Sequence, residues 1–211
     1  MTLKPILAFA HALLEDALRP GDIAIDCTMG NGRDTLFLAD LVGESGHVFA
    51  FDIQETAIEN TRGRLAQHDI AAERVTLLKE SHANLLQQIP ARSCQKIKAA
   101  VFNLGYLPGG DKRICTRPHS TIAALEGLRS ILAPGGIVVL VIYPGHDGGE
   151  AEALAVLDYC KALPREEVQV IVYQILNNPK HPPFVIALEK INDEERRQNG
   201  TKICTGLNRH E

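Results

Sequence analysis

The run Asp26-Cys27-Thr28-Met29-Gly30-Asn31-Gly32-Arg33-Asp34-Thr35 puts two glycines between an apolar stretch and an amphipathic one. Glycines between a strand and a helix let the backbone come close to a ligand at the helix N-terminus, where unpaired N–H groups gather. Asp26, Gly30 and Gly32 of this turn are therefore candidate cofactor-binding residues. A dinucleotide fingerprint has a third glycine where Thr35 stands, so close pyrophosphate binding is less well supported. A glycine turn needed only for chain geometry is the plain alternative. Farther on, Phe51-Asp52-Ile53-Gln54 ends a second apolar run, where an acid is placed to accept hydrogen bonds from ribose hydroxyls. Asp52 is equally suited to cap the following helix. Turn and acid together point to an adenosine-bearing ligand, a description that NAD and S-adenosylmethionine share.

A later apolar run leads into Asn103-Leu104-Gly105-Tyr106-Leu107-Pro108-Gly109-Gly110-Asp111. Open α/β sheets bind ligands outside the carboxyl ends of their strands, where this polar and aromatic loop belongs. It resembles the Asn-Pro-Pro-Tyr loop of methyltransferases that modify exocyclic amino groups, with Leu104 and Gly105 in place of the prolines. That resemblance implies that Asn103 orients a target nitrogen and that Tyr106 stacks on a flat base. A Gly- and Pro-rich loop with Tyr106 packed inward is the competing reading.

These residues need a scaffold. Short runs rich in Val and Ile alternate with longer amphipathic segments, the pattern of βα units and a mostly parallel sheet. Strands are expected at 22–27, 47–53, 75–78, 99–103, 137–143, 168–173 and 184–189, and helices near 33–41, 55–68, 83–88, 119–132 and 149–162. Ala133-Pro134-Gly135-Gly136 reads as a helix stop followed by a tight turn. The turn-like stretch 177–183 leaves no room for a helix between the last two strands, which are expected to be antiparallel neighbours. The expected fold is α/β, with a seven-stranded mostly parallel sheet, an antiparallel terminal hairpin and helices on both faces. Residues 1–190 form the expected domain, opened by an amphipathic helix within 1–19, and residues 191–211 form a loosely attached extension.

Composition bounds the function classes. No apolar stretch reaches the roughly 20 residues of a membrane span, and the N-terminal apolar run is interrupted by Glu15 and Asp16, unlike a signal peptide. Cys27, Cys94, Cys115, Cys160 and Cys204 are scattered without a paired spacing, and none of the histidines falls at metal-ligand spacing. Reduced thiols, no metal and a cytoplasmic location are expected. The net charge of −4 does not favour nucleic acid overall. Between 91 and 118, however, Arg92, Lys96, Lys98, Lys112, Arg113 and Arg117 are opposed only by Asp111, a candidate basic patch.

Taken in order, DCTMGNGRDT, FDIQ, ESHANL, NLGYLPGGDK, YPGHDGGEAE and NNPKHPPFVIALEK resemble the bacterial rRNA methylase family and the similar MnmM (YtqB-like) tRNA methyltransferases. The resemblance covers about 20–190 and implies a Rossmann-like class I methyltransferase using S-adenosylmethionine. The implied substrate is the amine of 5-aminomethyl-2-thiouridine at the tRNA wobble position. It also implies Asn31, Asp34, Asp52, Gln54, Ser81 and His82 as cofactor contacts, with Asn103, Tyr106, Tyr143 and His146 on the substrate side. His82 at a helix start is equally a capping or packing residue. An amine must present a lone pair to be methylated: either binding beside the cationic sulfonium depresses its pKa or a nearby group removes the proton, for which Asp111, His119 and His146 are the candidates. The anticodon region of tRNA is the expected partner, and a homodimer is left open. An rRNA or small-molecule N-methyltransferase and a silent adenosine-binding module are the alternative functions.

Overall fold

The computed structural model describes residues 2–179 and 182–192; most of the expected extension, Cys204 included, lies outside the described residues. The elements run α1 (Ile6–Ala17), β1 (Ile23–Asp26), α2 (Arg33–Val42), β2 (His47–Asp52), α3 (Glu55–Gln67), β3 (Val75–Lys79) and α4 (Leu85–Gln88). They continue with β4 (Ile97–Leu104), α5 (Pro118–Ile131), β5 (Leu132–Ile142), α6 (Gly149–Lys161), β6 (Val168–Tyr173) and β7 (Phe184–Lys190). The seven strands form one sheet in the order β3-β2-β1-β4-β5-β7-β6. β7 lies antiparallel to both β5 and β6, as expected, and the remaining pairs are parallel.

β4 is nearly all apolar because helices cover both of its faces. Side chains alternate across a strand, so Phe102 and Leu104 join the core beneath α5 and α6, while Ala99 and Val101 join the core that includes Leu14 of α1 and Leu38 of α2. Asn103 keeps the parity of Ala99 and Val101 and so faces α1 and α2. Tyr143, just beyond β5, packs against that same core.

The expected turn at 133–136 lies inside β5, which starts at Leu132 opposite Ile97. The register then shifts between Ile97 and Ala99, and Gly135 takes φ +67. The glycines that read as a tight turn therefore absorb a bulge. α1 buries Ala10 and Leu14 and packs on β5 and β7. It is fixed further by Phe9 stacking on Tyr173 (4.0 Å) and by the Tyr173 hydroxyl donating to the Lys4 carbonyl (2.8 Å). Among the described residues no helix is long and apolar enough to cross a membrane, and Cys27, Cys94, Cys115 and Cys160 are free thiols.

Candidate functional site

The glycine turn leaves β1 at the point where the strand order reverses, with β2 on one side and β4 on the other. Asp26 is fully buried beneath it, where its Oδ1 accepts from the Thr28 N–H (3.1 Å) and its Oδ2 from the Thr35 hydroxyl (2.6 Å). It lines no cavity of the site, which corrects its expected role as a ligand contact: the carboxylate clamps the turn to the first turn of α2. Burial, together with the charges of Asp34 and Asp52, pushes its pKa up to about 7. Gly32 also acts from below. Its φ is +74, and a Cβ there would lie 2.8 Å from the Thr61 Cα, so the residue permits the close approach of α3 and makes no wall of a cavity.

Two cavities open above the turn and share Thr28, Gly30, Asn103, Gly105, Tyr106 and Pro108. The smaller, about 150 Å³, is walled by Asp52, Gln54, Ser81 and His82. The Asp52 Oδ2 accepts from the Gly30 N–H (3.1 Å) and its Oδ1 from the Gln54 N–H (3.0 Å), so it both caps the entry to α3 and braces the glycine turn. Burial raises its pKa. The Ser81 hydroxyl accepts from the Ala83 N–H (3.3 Å) and starts the short turn that carries His82. The His82 Nδ1 bonds to the Cys27 carbonyl (2.9 Å), which makes Nδ1 the donor and leaves Nε2 with a lone pair. That Nε2 is buried without a partner among the described residues, and burial lowers the pKa of the ring. A neutral imidazole with a dry, unused acceptor is suited to a ligand N–H donor.

The larger cavity, about 930 Å³, is lined by His11, Asn31, Asp34, Tyr106, Tyr143 and His146 among others. Asn31 donates to the Pro108 carbonyl (3.2 Å) and accepts from Asn60 (2.8 Å), tying the glycine turn to the loop after β4. The Asn103 backbone N–H donates to the Thr28 hydroxyl (2.7 Å), and its side-chain Nδ2 donates to the Asp34 Oδ2. Asp34 in turn holds the His11 Nε2 (2.8 Å). With the amide nitrogen so engaged, the carboxamide oxygen of Asn103 is left as an acceptor on a residue that lines both cavities.

Tyr106 does not pack inward: it is 37% exposed, bridged to Cys115, with the Lys112 Nζ 5.5 Å from its ring centroid. His146 meets it edge-on at 5.9 Å. The His146 Nδ1 bonds to the Asp147 carbonyl (3.0 Å), and Nε2 is buried over Gly149, where an added Cβ would come within 2.9 Å. His146 thus supports the Tyr106 ring and offers no exposed nitrogen. Asp111 is held by Arg113 (2.6 Å), which lowers its pKa, and His119 is exposed on α5; neither lines a cavity of the site.

The basic stretch 91–118 is not one patch. Arg92, Lys96 and Lys98 lie at the start of β4, and Lys112, Arg113 and Arg117 lie beyond its end, separated by a strand of 8 residues, or roughly 25 Å at about 3.3 Å per residue. Only the second group borders the site, with Lys112 in the wall of the larger cavity. Sequence reading missed His11, although its signal was present: a lone polar side chain inside the apolar run 5–14. It also missed Glu152, which is 1% exposed and accepts from the Thr116 (2.6 Å) and Thr121 (2.7 Å) hydroxyls. Those bonds anchor the returning limb of the Tyr106 loop to α5 and α6, and an acid in the first turn of a helix gives no sign of such a role.

Residues 48–189 match the family described as "Putative rRNA methylase". A chloroplastic tRNA (mnm(5)s(2)U34)-methyltransferase of Arabidopsis thaliana is 38% identical over 196 residues, 90% of this chain and 71% of the plant protein. Among solved structures, the "putative rRNA-methylase" of Clostridium thermocellum superposes with a TM-score of 0.86 at 42% identity, covering 90% of this chain and 100% of that one. A "putative methyltransferase" of Streptococcus mutans in complex with SAH gives a TM-score of 0.81 at 36% identity, again covering 90% and 100%.

Proposed function

The chain belongs to the rRNA methylase family of class I methyltransferases, and from that premise we propose that it methylates the aminomethyl nitrogen of a modified uridine at the tRNA wobble position. S-adenosylmethionine supplies an electrophilic methyl group on a sulfonium. The observation that carries the reading is the placement of Asn103, with an acceptor oxygen left to it, in the lining of both cavities.

The smaller cavity fits the adenosine half. Asp52 accepts from the ribose hydroxyls, Gln54 and Ser81 line the same side, and the unpartnered His82 Nε2 accepts from the exocyclic amine of adenine. The larger cavity takes the nucleoside. Tyr106 stacks on its base, and the Asn103 oxygen accepts an N–H of the substrate amine, so that its lone pair is held toward the methyl donor. Positioning of this kind converts an encounter into a near-attack arrangement, the main contribution a protein makes to a displacement reaction. Lys112, Arg113 and Arg117 meet the phosphates of the anticodon arm, and the activity belongs in the cytoplasm, where tRNA is modified.

The test is incubation of the full chain with S-adenosylmethionine and tRNA bearing 5-aminomethyl-2-thiouridine, followed by nucleoside mass analysis. Gain of one methyl group on that nucleoside is expected. Methylation of rRNA or of a free amine, with this tRNA unmodified, would overturn the reading.

A further inference from the structure

We propose that His11, oriented by Asp34, accepts the proton that the substrate amine must lose before methyl transfer. The inference rests on the amine-methylating reading above. An aliphatic amine is mostly protonated near neutral pH, and an ammonium has no lone pair to attack with. A group beside Asn103 that accepts this proton raises the fraction of amine able to attack. Asp111 is committed to Arg113 outside the cavities, His119 is exposed on α5 and lines neither cavity, and the His146 Nε2 is buried over Gly149.

His11 is a histidine of the larger cavity that is hydrogen-bonded to the partner of Asn103. α1 lays it in the wall of the larger cavity, where Asp34 joins it to Asn103 in one chain of hydrogen bonds. The ring stacks on Phe37 (centroids 4.1 Å apart), which fixes its plane. Because the carboxylate of Asp34 takes the Nε2 proton, the lone pair resides on Nδ1, which has no hydrogen-bond partner among the described residues. A carboxylate that fixes the tautomer of an imidazole and stabilises its cation is the arrangement by which histidine serves as a general base. The hydrogen bond to Asp34 raises the His11 pKa, and Glu15 one turn along α1 adds to that. Arg33 of α2, Tyr143 beyond β5, Tyr106 and Lys112 of the loop after β4, and His146 are the other titratable groups besides Asp34 that line the cavity with it.

The step balances. An N–H bond of the substrate ammonium breaks, its electron pair stays on nitrogen, and the proton passes to the His11 Nδ1. The nitrogen pair then forms the N–C bond to the methyl group as the C–S bond breaks toward sulfur. The His11 side chain is 36% exposed, so the proton can leave to solvent.

Single-turnover methylation of the aminomethyl-bearing tRNA, followed against pH, tests the assignment with His11→Gln and His11→Ala. The glutamine amide can still donate to Asp34 but carries no basic nitrogen. Both variants are expected to lose about 10²- to 10⁴-fold in rate at neutral pH, with SAH affinity by calorimetry unchanged. The wild-type rate should fall as pH drops through the His11 pKa, whereas the variants should climb steadily toward the pKa of the amine itself. Added imidazole should partly rescue His11→Ala. A wild-type rate in His11→Gln would reduce His11 to a prop for Asp34, and an unchanged pH profile in both variants would overturn the assignment. If the wild type leaves the aminomethyl tRNA unmethylated while binding SAH, the amine reading fails first and this inference falls with it.

Discussion

Replacing Asp26 with asparagine should make the protein more stable above neutral pH, although Asp26 sits in the strand-end motif of the site. Its carboxyl is fully buried, and its pKa is raised from 3.8 to about 7 by desolvation and by the charges of Asp34 and Asp52. A group whose folded pKa is raised contributes stability that is fully present below its unfolded pKa and is lost as pH rises through the folded value. The window here runs from about pH 4 to pH 7. A rise of about three pH units at about 1.4 kcal/mol each amounts to a loss of about 4 kcal/mol by pH 8. Asparagine imitates the protonated acid: its oxygen can accept from the Thr28 N–H and its amide can donate to the Thr35 hydroxyl oxygen. Urea unfolding of both proteins between pH 4 and pH 8 should give equal stabilities at the acid end and a growing advantage for Asp26→Asn toward pH 8. The shifts of Asp52 and His82 are present in both proteins and largely cancel in the difference. Parallel pH profiles, or a less stable variant at pH 8, would show that Thr28 and Thr35 stabilise an ionised Asp26 and would refute the reasoning.

Gly32→Ala combines a left-handed backbone with a Cβ 2.8 Å from the Thr61 backbone, so a loss of about 2–5 kcal/mol is expected in denaturant unfolding; an unchanged midpoint would contradict the close approach of α3. Glu152→Gln removes the charge that accepts from Thr116 and Thr121, which should cost about 1–3 kcal/mol and raise KM for tRNA while SAH affinity holds. Equal KM values would separate Glu152 from the Tyr106 loop. Asn103→Ala deletes the acceptor on the residue that lines both cavities, and about 2–4 kcal/mol of lost transition-state stabilisation corresponds to a fall of roughly 30- to 1000-fold in kcat. A near-wild-type single-turnover rate would remove Asn103 from the chemistry.

The sheet was legible because its strands are short Val- and Ile-rich runs whose ends are marked by Asp26, Asp52 and Asn103, and those ends define the carboxyl edge where the cavities open. What each of those polar residues does was not legible. Asp26 and Asp52 occupy equivalent strand ends, yet one is shut beneath the turn and the other lines a cavity, a difference set by the packing of Thr35. His11 and Asp34 are 23 positions apart, and the apolar periodicity of α1 says which face is buried, not which side chain its rim will meet. Neighbours in sequence misled in the opposite sense: Lys98 and Lys112 belong to one basic stretch but stand at opposite ends of β4, because an extended strand carries the chain across the whole sheet.

The charges follow a pattern that explains why a site with a dinucleotide-like strand order takes a different ligand. Asp26, Asp34 and Asp52 surround the glycine turn, close enough that Asp34 and Asp52 both raise the pKa of Asp26. Asp34 and Asp52 line the cavities beside this turn and repel a pyrophosphate, and a third glycine is missing where Thr35 donates to Asp26 instead. A cation at the same place relieves that repulsion, and both the sulfonium of the methyl donor and the ammonium of the substrate are cations. The outer wall has the opposite sign. Lys112 stands over Tyr106, and Arg113 and Arg117 lie on the loop beside it, toward the side from which a polyanion would approach. On the proposed reading, phosphates stay at the mouth and cations are drawn inward, so that a nucleoside carrying an amine on its base enters amine first.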